Sequence, residues 1–171
     1  ISKSVALGLI GFSDAFKELK PDLLILLGDR YELISVAFAA LVEQIPIAHL
    51  HGGESTEGAF DESVRHSITK MSWWHFVASD VYKKRVIQLG ENPNRVFNVG
   101  GLGVDAITKR KLLSKKNLEK KLDFRFMAKN ILITYHPETL EDKMEESNFK
   151  AILNAIKDFK DIFIIFTMPN A

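Results

Sequence analysis

A chain of 171 residues, 46% of them apolar and 26% charged, carries enough apolar material for one substantial core, which excludes disorder as its main state. Twenty-three Lys and Arg against 22 Asp and Glu leave a formal net charge of +1, so no surface-wide field draws nucleic acid or anionic lipid, and any anion site is local. Zero cysteines exclude disulfides, thiolate zinc sites and a cysteine nucleophile; they fit a reducing compartment, and a cytoplasmic location is expected.

In chain order, helical lengths at 4–19, 31–43, 61–71, 80–89 and 145–159 alternate with short apolar runs at 23–27, 45–50, 74–78, 131–134 and 162–166 that read as buried strands, with a weaker strand at 95–99. Residues 145–159 show Phe149, Ile152, Leu153 and Ile156 at helical spacing. Alternating strand and helix predicts βαβ units and an α/β fold with mostly parallel sheets. The apolar runs are far short of a membrane span and the first residues lack signal-peptide order, so no membrane partner is expected. Residues 109–121 hold six lysines and one arginine and no sheet-like run. They read as a basic connector (110–124) between the latter part of one Rossmann-like domain (1–109) and the start of a second (125–171), the alternative being a solvated helix of a single domain. The chain begins at Ile1 rather than Met and stops just after an apolar run, so it is expected to be a piece of something longer.

Ligands of open α/β sheets collect at the carboxyl ends of strands, and here those ends are polar. Gly28-Asp29-Arg30 follows the first run and sets a carboxylate and a guanidinium at the sheet rim; Asp29 is equally placed to cap the next helix. His51-Gly52-Gly53-Glu54 follows the second, where two glycines let backbone N–H groups approach a ligand. His49 and His51 alternate on a strand and are expected on one face, but with no cysteine and no clear third ligand no metal is expected, and His51 suits hydrogen bonding or proton transfer. On the helix from Asp61, Val64, Ile68 and Met71 form a core stripe, Glu62, His66 and Lys70 run up another face, and Asp61 and Arg65 pair along a third line. Asp29, Asp61 and Glu62, with His51, His66, Arg30 and Arg65, are expected to converge on one crevice suited to acid–base chemistry on an anionic substrate. Gly100-Gly101-Leu102-Gly103 is a second glycine-rich turn, although its spacing does not fit a dinucleotide fingerprint. Tyr135-His136-Pro137 closes the strand that opens the second domain, where a cleft between domains is a common substrate site.

Taken together, Gly28-Asp29-Arg30, His51-Gly52-Gly53-Glu54, the run from Asp61 to Lys70, Asn98-Val99-Gly100 and Tyr135-His136-Pro137 resemble the UDP-N-acetylglucosamine 2-epimerase family, in particular its hydrolysing branch from sialic-acid-type sugar pathways. The resemblance implies a GT-B fold of two Rossmann-like domains with the nucleotide sugar between them, a homo-oligomer, and no cofactor. It implies a reaction in which a proton leaves sugar carbon 2 and UDP leaves carbon 1 to give a glycal, to which water adds, releasing N-acetylmannosamine or a related sugar. By the same resemblance Asp29 and Asp61 match family carboxylates associated with catalysis and Glu62 is the adjacent reserve. Arg65 and His66 orient the sugar or its phosphate, and His136 matches a cleft histidine. Many relatives carry a catalytic glutamate where this sequence has His51. The chain as it stands is expected to be inactive, with half the cleft absent. The competing expectations are a GT-B glycosyltransferase and a non-catalytic nucleotide-sugar-binding module.

Overall fold

Apolar runs of four to six residues are too short to make a stable helix of their own and bury themselves by pairing edge to edge as strands. A computed structural model of the chain describes residues 1–56, 60–136 and 145–168. Its elements divide into two compact units, Ile1–Lys109 and Arg110–Ala171.

The first unit runs α1 (Ser2–Leu19), β1 (Leu24–Leu27), α2 (Leu33–Val42), β2 (Ile47–Leu50), α3 (Asp61–Met71), β3 (Trp74–Val77), α4 (Asp80–Gln88), a 3-10 turn (Pro93–Arg95), β4 (Val96–Asn98) and α5 (Leu102–Lys109). Its four strands pair in the order β1-β2-β3-β4, all parallel, with Leu26 opposite His49 and His49 opposite His75. Strand β2 starts later than its apolar run predicts because Pro46 offers the ladder only a carbonyl, which accepts from Leu24 N. Helix α2 is apolar on nearly every side, and its Val36, Ala37, Ala39 and Ala40 join Phe16, Leu26, Ile45, Ile47 and Ile68 in the core. The stripe expected on α3 is present: Ile68 is fully buried and Val64 and Met71 pack against the same core.

The second unit holds α6 (Lys115–Leu122), β5 (Lys129–Ile133), α7 (Glu145–Ile156) and β6 (Ile162–Phe166), with β5 and β6 parallel and Ile131 opposite Ile164. Helix α6 lies inside the lysine-rich stretch, with Ser114 Oγ accepting from Asn117 N at its start and Asp123 in the left-handed conformation at its end. That stretch therefore contains a solvated helix as well as linking residues. Among the described residues no helix is long and apolar enough to cross a membrane.

Candidate active site

The carboxyl ends of β1 and β2 each end in a left-handed turn. Gly28 has φ 85° and His51 has φ 62°, yet both stay tied to the sheet, Gly28 N donating to Leu50 O (3.1 Å) and His51 N to Phe76 O (2.8 Å). The pleat thus stops at Leu50, and His51 does not continue the alternation begun by His49. The expectation that the two imidazoles share a face is corrected on that ground. His49 is fully buried; its Nε2–H donates to Gly28 O (2.8 Å), which leaves Nδ1 to accept from the Thr69 hydroxyl (3.1 Å). Burial pushes its pKa down to about 4, so the ring is neutral.

Gly53 follows with φ 79°, its carbonyl accepting from Arg85 Nη1. A side chain at Gly53 would meet Tyr82 O at 2.6 Å, so the Gly-Gly turn sits directly on α4. The turn delivers Glu54 back toward His51, with Oε1 accepting from His51 Nδ1 at 2.7 Å.

Arg65 joins these pieces. Arg65, 7% exposed, reaches three groups from the middle of α3. Its Nη2 donates to Asp29 Oδ2, and its Nη1 donates to His51 O (2.7 Å) and lies 3.4 Å from Glu54 Oε2. The partner expected along the helix, Asp61, is not the one taken; a planar guanidinium bound across two strand ends gains more directed hydrogen bonds than one folded back along its own helix. Asp61 stays close enough to feel these charges. Burial and the Asp29 carboxylate raise its pKa, opposed by Arg65 and Arg30.

The remaining expected residues are placed less uniformly. Glu62 and His66 meet one turn apart on α3 (3.5 Å), and His66 Nδ1 and Arg65 Nε are buried without a hydrogen-bond partner among the described residues. Arg30 is not part of the Arg65 network: its side chain is 70% exposed and bound to Glu32 at 2.8 Å. His136 lies exposed just beyond β5, in the second unit, and Pro137 falls outside the described residues. Lys70 pairs with Glu91, which also contacts the buried His75 (3.2 Å) away from these strand ends. Glu54 is the residue of this network that the sequence pattern leaves unassigned; its spacing of three from His51 across a Gly-Gly turn is the one signal that points to it. Among the described residues no group of three or more His, Asp or Glu side chains is arranged to hold a metal ion.

A family model described as UDP-N-acetylglucosamine 2-epimerase matches residues 1–171. The GDP/UDP-N,N'-diacetylbacillosamine 2-epimerase (hydrolyzing) of Campylobacter jejuni is 48% identical over 171 residues, which is 100% of this chain and 44% of that protein. Polysialic acid biosynthesis protein P7 of Escherichia coli is 42% identical over 172 residues, again 100% of this chain and 44% of its own length. Among solved structures, the UDP-GlcNAc 2-epimerase from Neisseria meningitidis bound to UDP-GlcNAc superposes with a TM-score of 0.83 at 22% identity, covering 97% of this chain and 47% of that one. The Methanocaldococcus jannaschii UDP-GlcNAc 2-epimerase in complex with UDP-GlcNAc and UDP gives 0.80 at 19% identity, over 97% and 47%. The α/β fold with parallel sheets, of GT-B type, is shared with these structures, and the chain spans less than half the length of the relatives it matches.

Proposed function

The chain belongs to the UDP-N-acetylglucosamine 2-epimerase family, and on that premise we propose that it forms part of a hydrolysing nucleotide-sugar 2-epimerase. The reaction proposed removes the proton from sugar carbon 2, expels UDP from carbon 1 to give a glycal, and adds water to release the 2-epimerised sugar. The substrate class is a UDP-linked 2-acetamido sugar, either N-acetylglucosamine or a diacetamido derivative. The second choice draws support from the Campylobacter jejuni relative.

The observation that carries this reading is the pair of carboxylates held differently beside one guanidinium. Asp29 is bound directly by the Arg65 guanidinium, whereas Asp61 is partly desolvated beside Asp29 and keeps its proton to a higher pH than an ordinary aspartate. One carboxyl is thereby suited to accept a proton and the other to donate one, which elimination and rehydration both need. In this reading Glu62 stands next to Asp61 as a reserve acid, Arg65 and His66 orient the sugar or its phosphate, His51 exchanges a proton, and His136 of the second unit is a further candidate substrate-binding residue.

The test is to incubate the complete gene product with UDP-N-acetylglucosamine, and separately with UDP-N,N'-diacetylbacillosamine, in deuterated water. Release of UDP with deuterium at carbon 2 of the free sugar is expected for one of them. Release without deuterium would count against the glycal route.

A further inference from the structure

We infer that Glu54 is a positioning residue for His51, fixing which of its ring nitrogens is free to meet substrate; for the substrate itself this rests on the function proposed above. Glu54 Oε1 lies 2.7 Å from His51 Nδ1, and a carboxylate can only accept there, so the neutral ring carries its proton on Nδ1 and presents an unprotonated Nε2. An isolated neutral imidazole has no such constraint. Nothing about this pairing depends on a chance surface encounter, because both members are fixed from behind by one cation. Arg65 Nη1 donates to the His51 carbonyl at 2.7 Å and lies 3.4 Å from the second Glu54 oxygen, while Nη2 is bound to Asp29. The Gly53 backbone that carries Glu54 is seated on α4 and held by Arg85. The left-handed turn at His51 swings its ring off the strand face and into reach of Glu54. Among the described residues, the charged groups bonded to His51 are Glu54 and Arg65, and through Arg65 Asp29.

The chemical consequence follows the logic of any carboxylate–imidazole pair. When Nε2 takes a proton, the positive charge that develops faces a carboxylate already in place, and no reorganisation is needed. His51 with Glu54 behind it then combines a proton-accepting nitrogen with a fixed negative charge, which neither side chain supplies alone.

Two measurements test this. In the chain labelled with 15N-histidine, long-range 1H–15N spectra of the neutral imidazole should show His51 as the Nδ1–H tautomer. Glu54→Ala should shift it toward Nε2–H, and Glu54→Gln, whose amide oxygen still accepts, should largely restore it. In the complete gene product Glu54→Ala should lower kcat roughly tenfold or more with KM changed less than about threefold, and Glu54→Gln should fall between it and the parent. A His51 tautomer unmoved in Glu54→Ala, or an unchanged kcat in a protein that turns over the substrate, overturns the assignment. A gene product that turns over neither nucleotide sugar removes the proposed function instead, and the spectra alone then decide the relation between Glu54 and His51.

Discussion

Arg65 on α3 and Asp29 after β1 are 36 residues apart in the chain and bound to each other through Nη2 and Oδ2, the guanidinium almost entirely buried. This pair brings the first helix after the Gly-Gly turn onto the end of the first strand. Because the hydrogen-bonded guanidinium holds the carboxylate in place, Asp29 has a defined position before any substrate arrives.

The first prediction concerns turnover. Asp29→Asn and Asp61→Asn in the complete gene product should each cut kcat by roughly a hundredfold or more, the range usual for losing a positioned acid or base. Circular dichroism and thermal melting should show both variants folded. A near-normal rate in either one removes that carboxyl from the mechanism.

The second follows from the field at Asp61. Its pKa is raised first by burial and then by Asp29, and Arg65 and Arg30 pull it the other way. Asp29→Asn deletes a raising contribution, so Asp61 should titrate at lower pH than in the parent. Arg65→Met deletes a lowering one, so Asp61 should titrate higher. Carbon-13 NMR of the Asp61 carboxyl reads both, and midpoints that fail to move in opposite directions would separate the two carboxylates electrostatically.

A third prediction is a pH dependence of stability. The folded protein keeps His49 neutral, with its pKa lowered from 6.5 to about 4 by burial, and His75 is lowered for the same first reason. The unfolded chain therefore binds protons that the folded chain refuses. Stability from these groups is full above about pH 6.5 and is lost as the pH falls toward 4, with His49 accounting for up to about 3 kcal/mol. Asp61, whose pKa is raised, works in the opposite direction over its own range. Urea denaturation at pH 7 and pH 4.5 should give a lower midpoint at the acidic value, and His49→Asn should flatten the difference. An equal slope in that variant would assign the effect elsewhere.

The fourth compares two glycines. Gly28 and Gly53 both have positive φ, but a side chain at Gly28 would meet nothing within 4 Å, whereas one at Gly53 would sit 2.6 Å from Tyr82 O and 2.9 Å from Val86 Cγ2. Gly28→Ala should cost about 1 kcal/mol, the conformational penalty alone. Gly53→Ala adds a backbone clash and should cost about 3 kcal/mol, displacing Glu54 as well. Equal denaturation midpoints for the two variants would show that α4 yields to the added methyl.

By itself the order of residues determined the α/β class, the positions of the strands and the core stripe of α3, because apolar runs and a 3.6-residue period are local signals that burial enforces wherever the segment lies. It also located the polar ends of β1 and β2, since a carboxylate or histidine next to an apolar run lands at a sheet rim in any parallel architecture. Tertiary structure alone decided the pairings. Local spacing pointed Arg65 at Asp61, while the register of β1 on β2 put Asp29 and Glu54 within its reach. Likewise strand alternation grouped His49 with His51, and a single left-handed residue sent one into the core and the other to Glu54. Which charges meet depends on how distant segments are brought together and on one backbone angle, and neither is written in a periodic pattern.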